Sequence, residues 1–550
     1  MASLNPIVGT LGVQNATHLL RRATFGPQLQ DIQYFSTLSA ADAFQELILP
    51  QVEPDLPIDF LTGTDWVFPN SPHPDHTNTE ISRFTSAWWI ENMRVSGANL
   101  TDRLVWFYHT HFPMIISRIQ NRPQFSLDYL RLLRFYALGN YKDLSKAICI
   151  DNAMLVHLDG NLNVKGAPQE NFGREFLELF TVGKGPQVGP DDYTNFTEMD
   201  VKELTKVLTG WGIDIGFQTI DPVTNLPTGK VKINTTTVVA NKHDISDKQF
   251  SAAFNNTVIQ TTPIVGSNTT IQGVYDELDV AIDMIFASPH TAKNICRRIY
   301  REFVYFDITT EIETDIIEPL ALILEQNNFE ITSVLEVLFT SEHFYDLDST
   351  PTDDNNIGAI IKAPIDLIIG AIRLFELDVP DKTTDLENHY ELYRQLLFNL
   401  DAEGLDFFEP YDVAGYNAYF QEPGFHRNWI SSNYLANRYK FSEYLIDGFI
   451  NSMGDVLLKL DIVQFVEDKC TDPADSTLLM QELVSWMIPI QLTTERFDYF
   501  KDDVLLDQLS AANWTGEWNN YAATANDAYV RVQLEKLALA MMQSPEYQLY

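Results

Sequence analysis

The chain has 550 residues, 45% of them apolar and 12% aromatic, enough for a large core spread over roughly two to four domain-sized units. Its 37 Lys and Arg against 76 Asp and Glu leave a formal charge of −39, which argues against a nucleic-acid partner, because phosphate backbones are held by clustered Lys and Arg. The same surface favours divalent cations and cationic partners.

From the start, MASLNPIVGTLGVQNATHLL has neither a basic stretch nor a continuous apolar run of the kind a secretory leader carries. The acidic, Asn- and Thr-rich, cysteine-poor composition suits an extracellular or periplasmic bacterial protein whose leader has been removed, with the cytoplasm left open. Apolar residues then recur at three- and four-residue spacing over residues 15 to 210, as in Thr17–Ala23, Ala40–Leu47, Ile81–Val95, Leu127–Leu138 and Asn171–Thr181. Asp and Ser caps with Gly and Pro stops punctuate these helices. Residues 212–272 read as a β-rich insertion, with β-branched runs around Pro, Asn and Gly turns.

Helical periodicity resumes over Ala281–Phe286, Thr291–Phe303, Ile312–Asn327 and Ile331–Thr340. An acidic stretch, Leu347–Asn356, reads as a linker or exposed turn. The most apolar run, Ile357–Phe375, is interrupted by Lys362, Asp366 and Arg373, so no membrane span is expected. The reading is a mainly α, large multi-helical protein in one assembly, with units at 1–211, 212–272, 273–346 and 347–550.

Three constellations could carry chemistry. In Trp106-Phe-Tyr-His109-Thr-His111-Phe-Pro113, two imidazoles could converge on a transition metal on a strand or at a fraying helix end, whereas an intact helix would point them apart. In the second, counted from Asp159, the side-chain oxygens of Asp159, Asn161, Asn163 and Glu170 fall at the calcium-ligand spacing of an EF-hand, although Val164 stands where that loop has glycine. In the third, Asn171, Arg174, Glu175 and Glu178 make one polar helical stripe in which Arg174 and Glu178 can pair. Paired carboxylates at that spacing can bind metal or divide acid and base roles.

Weaker candidates are His243-Asp244, as a possible dyad, and loop histidines such as His73 and His76. Cys149, Cys296 and Cys470 allow one disulfide, but Cys149 and Cys296 sit in apolar helical runs where a buried thiol is expected. No nucleotide-binding, serine-hydrolase or zinc-protease motif occurs, so no nucleotide cofactor is expected.

Several segments taken together resemble a large bacterial family catalogued as domain of unknown function 1800. They are His18-Leu-Leu-Arg21-Arg22-Ala-Thr-Phe25-Gly26, Trp106 to Phe112, Ala167 to Gly183 with Asn171, Asp200 to Trp211, Lys362-Ala-Pro364, Val413 to Trp429 with Arg438, and Ser544-Pro-Glu-Tyr547. Gln169 and Tyr416 depart from the family pattern, which has Asn and Trp there. The resemblance implies a helical, usually exported protein and brings no established reaction. Two functions are therefore expected to compete. One is a metal-assisted hydrolase or oxidoreductase, with a polysaccharide-related substrate as a guess, using His109, His111, Glu175 and Glu178, with Arg174 orienting them and calcium bracing the adjacent loop. The other is a non-catalytic cell-surface or assembly protein with a structural buried ion network and bound calcium.

Overall fold

The computed structural model describes residues 2–59, 62–65, 78–119, 122–348 and 356–550. His73, His76 and most of the acidic stretch after Leu347 lie outside the described residues. Helices form where the apolar period is three to four and a side chain can satisfy the first free amides. Ser39 caps Ala40–Leu47, Asn140 caps Tyr141–Ile150, Thr270 caps Ile271–Phe286 and Ser431 caps Ser432–Asp447, each accepting from a first-turn amide. Such a cap contributes about 1 kcal/mol. Pro289 and Pro364 open Pro289–Phe303 and Pro364–Leu374, where proline's missing N–H costs nothing.

The periodic reading over Ile312–Asn327 resolves into short helical turns, a π-helical segment over Glu313–Ile317 and Glu318–Gln326. The expected Leu127–Leu138 helix instead runs Pro123–Phe135, because Pro123 sets its start. The expected Asn171–Thr181 helix is an α-turn over Asn171–Glu175 followed by a π-helical Phe176–Phe180.

Between residues 211 and 269 three antiparallel ribbons form, pairing Trp211–Gly212 with Lys230–Val231, Lys248–Gln249 with Val258–Ile259, and Ile264–Val265 with Asn268–Thr269. The β-rich reading is thus realised as two-residue ladders rather than one sheet. A further ribbon, Phe449–Ile450 with Val456–Leu458, lies in a segment read as helical.

Buried apolar side chains from Leu11 to Tyr547 make one continuous cluster. Each fully buried Leu, Ile or Phe in it contributes about 1.5–3 kcal/mol. Thr101–His111 lies deep inside, and every one of its residues is buried, including Arg103, His109 and His111. Gly12–Ala23 buries its C-terminal half, with His18, Arg21 and Arg22 among apolar neighbours. The chain leaving that helix passes over Pro364–Leu374 at backbone contact. Gly26 has φ +97°, and a Cβ there would stand 2.8 Å from the Gly370 Cα, so only glycine satisfies both the turn and the crossing. Among the described residues no helix is long and apolar enough to cross a membrane, and all three cysteines are buried, unpaired thiols.

Candidate functional site

Thr101–His111 stays helical through His111, so the two imidazoles point to different neighbours. His109 packs edge-on to Trp89 and Phe408, with its Nδ1 3.4 Å from the Tyr129 hydroxyl. Burial pushes its pKa down to about 3, so it is a neutral ring within an aromatic box. His111 instead meets the Tyr141 hydroxyl and the Phe180 carbonyl through Nε2, while its Nδ1 has no partner among the described residues. Trp106, one turn earlier, donates its indole N–H to the Tyr419 hydroxyl at 2.9 Å.

The polar stripe is also divided among separate partners. Arg174 makes a bidentate pair with Glu198, at 2.6 and 2.7 Å, rather than with Glu178, and Glu178 pairs with Lys184 at 3.1 Å. Glu175 is half-buried and hydrogen-bonds to none of the described residues. Burial, reinforced by nearby Glu178, pushes its pKa up to about 7. Asn171 opens this helix beside Glu170, whose carboxylate stands 3.5 Å from Arg174.

In the EF-hand-like loop, Asp159 takes a left-handed conformation and faces solvent. Asn163 turns inward instead, donating to the Thr205 carbonyl at 2.8 Å and accepting from the Gln169 amide at 3.2 Å. The Lys232 ammonium donates to the Asn161 main-chain carbonyl, so a side-chain cation from a distant segment sits on this loop. His243 finds its carboxylate not in Asp244 but in Glu277, 3.2 Å away, which also pairs with Lys248 at 2.6 Å. Among the described residues no group of three or more His, Cys, Asp or Glu side chains stands ready to hold a metal ion.

Convergence occurs elsewhere. Arg103 is fully buried between two carboxylates, Glu302 at 3.0 Å and Asp366 at 2.5 Å, and donates to the Tyr550 hydroxyl at 3.1 Å. Burial opposes its charge, but Asp366, Tyr550 and Glu302 outweigh it and hold the pKa well above the ordinary arginine value. Burial raises Glu302 to about 7 in spite of Arg103. The first-helix motif joins the same region: His18 donates to the Phe344 carbonyl at 2.9 Å, Arg21 to the Trp486 carbonyl at 2.7 Å and Arg22 to the Asn356 carbonyl at 2.6 Å. Arg22 also lies over the Tyr550 ring, 4.9 Å from its centroid.

This ring opens into a narrow cleft whose polar wall is His111, Arg298, Arg301, Glu302, His426 and Tyr550, with Phe306, Phe425 and Trp429 as aromatic wall. Among the described residues Arg298 has no hydrogen-bond or ion-pair partner, and burial, with Arg301 adding to it, lowers its pKa to about 10. Arg301 is held only loosely, by the Phe306 carbonyl at 3.3 Å and the exposed Glu422 at 3.5 Å. The His426 Nδ1 accepts from the Ile361 amide at 3.0 Å, which places the ring proton on Nε2, a buried donor with no acceptor among the described residues. Burial depresses this histidine to about 4, so the ring is neutral at pH 7.

Sequence reading placed His111 and the Val413–Trp429 segment near function but missed Arg298, Arg301, Glu302 and Asp366. A signal was present. In Pro289–Phe303 the buried stripe Ile295, Ile299 and Glu302 carries Arg298 on the same inward side, three residues after Ile295. Charges on an apolar helical stripe mark a buried polar site.

The fold and this ring define a class: a mainly helical protein in which buried arginines and carboxylates surround one cationic cleft. The family model described as a protein of unknown function, DUF1800, matches residues 18–549, and the chain belongs to that family. No curated protein and no solved structure matches it.

Proposed function

We propose that the cleft binds an oxyanion-bearing ligand outside the cytoplasm and acts on it by acid–base chemistry. The observation that carries this reading is Arg298, a guanidinium in a concave site without a partner among the described residues. Arg298 is half-buried with its donors turned to the cleft, and a bidentate oxyanion meets two of them at once. Arg301 and the His426 Nε2–H add donors on the same wall, while Phe306 and Trp429 offer ring faces for a flat body. Glu302, with its pKa near neutrality, supplies a carboxyl able to give or take a proton. An acidic sugar suits this combination of cationic and aromatic walls.

The test is binding at constant ionic strength, read by thermal shift and calorimetry with glucuronate, sulfate and glucose. Glucuronate and sulfate should raise Tm and glucose should not, and Arg298→Met should weaken the anions by about tenfold or more, the worth of one charge-assisted contact. Equal effects of glucose and glucuronate, or unchanged binding in Arg298→Met, would overturn the proposal. The non-catalytic reading draws on the Arg103–Glu302–Asp366 ring, which fixes the packing of three helices whether or not a ligand binds.

A further inference from the structure

On the far side of Tyr550 lies a second, narrow cleft whose polar wall is Arg21, Lys362, Asp366, Tyr547 and Tyr550. The backbone of Lys362 is pinned on both sides. Its amide donates to the Gln548 carbonyl at 2.9 Å, and its carbonyl accepts from Arg438 at 3.0 Å. Its side chain is buried, and the Nζ donates to a single acceptor among the described residues, the Tyr547 carbonyl, at 2.6 Å. No carboxylate among them forms an ion pair with it, and the Tyr547 ring lies 3.9 Å from the Nζ.

The charges facing this amine come from three helices and the last turn of the chain. Arg21 and Arg438 oppose an ammonium, and only Asp366 favours one. Asp366 is already engaged, through the Arg103 guanidinium at 2.5 Å and the Tyr550 hydroxyl at 3.2 Å. An ammonium needs three acceptors, and burial beside two guanidiniums favours the uncharged amine, holding the pKa well below the ordinary lysine value. A neutral amine in a cleft is a nucleophile. Arg21, on the same wall, has one hydrogen bond and no carboxylate partner among the described residues, and burial lowers it to about 10.

We propose that Lys362 is the nucleophilic amine of a second site, which condenses with the carbonyl carbon of an oxo acid whose carboxylate is held by Arg21. The nitrogen lone pair attacks the carbonyl carbon and forms the C–N bond. The carbonyl oxygen takes up the nitrogen's proton to give a carbinolamine. Loss of that hydroxyl as water then breaks the C–O bond and leaves the imine. One amine and one carbonyl give one imine and one water, with no oxidant or reductant. Asp366 and the Tyr550 hydroxyl line the cleft as proton carriers. This site does not depend on the Arg298 cleft.

The experiment incubates the full chain with glyoxylate and cyanoborohydride, which reduces any imine to a stable secondary amine, and maps the adduct by peptide mass spectrometry. Lys362 should be modified first, at a rate that rises less from pH 7 to 9 than the roughly tenfold per pH unit of surface lysines, which remain mostly protonated. Glyoxylate should favour Lys362 over surface lysines by about tenfold more than acetaldehyde does, through the Arg21 contact. Modification no faster than at surface lysines, or appearing only in urea, overturns the proposal, as does equal selectivity for the two aldehydes. The wild-type map decides even if Lys362→Arg folds poorly, and Arg298→Met should leave the labelling unchanged.

Discussion

Glu403 shows how strongly single residues depend on what surrounds them. It is fully buried, neither carboxyl oxygen has a hydrogen-bond partner among the described residues, and burial, only partly opposed by Arg438, raises its pKa to about 8. The unfolded chain releases this proton near pH 4.3 and the folded chain near pH 8, so its stability contribution is present at low pH and is lost as pH rises between those values. At pH 8 the loss is roughly 4–5 kcal/mol. Glu302, raised to about 7, adds a smaller loss of the same sign. We expect Glu403→Gln, which mimics the neutral acid, to gain stability relative to the wild type as pH rises from 5 to 8, whatever trend the neutral buried histidines such as His109 and His426 impose on both proteins. An unchanged slope in the variant would show that Glu403 is already ionised in the fold. Nothing in the local string Ala402-Glu403-Gly404-Leu405 announces this, because the burial comes from other helices.

At the scale of elements, spacing was legible where the contacts are local. The helices Ala40–Leu47, Asn78–Val95 and Ile331–Thr340 follow from the period of their apolar residues and their caps. The Asp159–Glu170 loop shows where this stops. Its oxygens have calcium spacing, yet the Asn163 amide is spent on Thr205 and Gln169, and the Lys232 ammonium reaches the Asn161 carbonyl from 71 residues away. A lysine on that carbonyl competes with a metal ion by like-charge repulsion. Calcium at millimolar concentration is therefore expected to leave Tm unchanged, and Lys232→Met to permit a calcium-dependent rise. A rise in the wild-type protein that disappears in Glu170→Gln would restore the loop as a calcium site. The His109–His111 pair follows the same logic in reverse. Helix geometry alone separates the rings, and the structure adds only the partners each finds.

For the whole molecule, charge is the largest effect that composition sets. A formal charge of −39 on one core repels itself, and the repulsion is screened as the Debye length falls from about 30 Å at 0.01 M salt to about 8 Å at 0.15 M. Tm should therefore rise with sodium chloride over that range, and a flat or falling response would mean that surface ion pairs such as Lys142–Asp283 offset the repulsion. Against this acidic exterior the interior is unusual. Arg21, Arg22, Arg103 and Arg438 are all buried, gathered by helices from both ends of the chain around Tyr547 and Tyr550.

Composition and periodicity were sufficient for the helical class, the acidic surface and the break into ribbons after Trp211, and short motifs such as Arg174-Glu175 with its flanks carried the resemblance to the family, because each depends on residues near one another in the chain. The cationic cleft depends on residues hundreds of positions apart. Arg103 meets Glu302 and Asp366, and Lys362 meets Tyr547, only once the core has brought their helices together. Sequence alone showed that such side chains exist. Which are desolvated, which are paired and which, like Arg298, find no partner among the described residues is set by packing, since low local dielectric and lost water give a charge its chemistry.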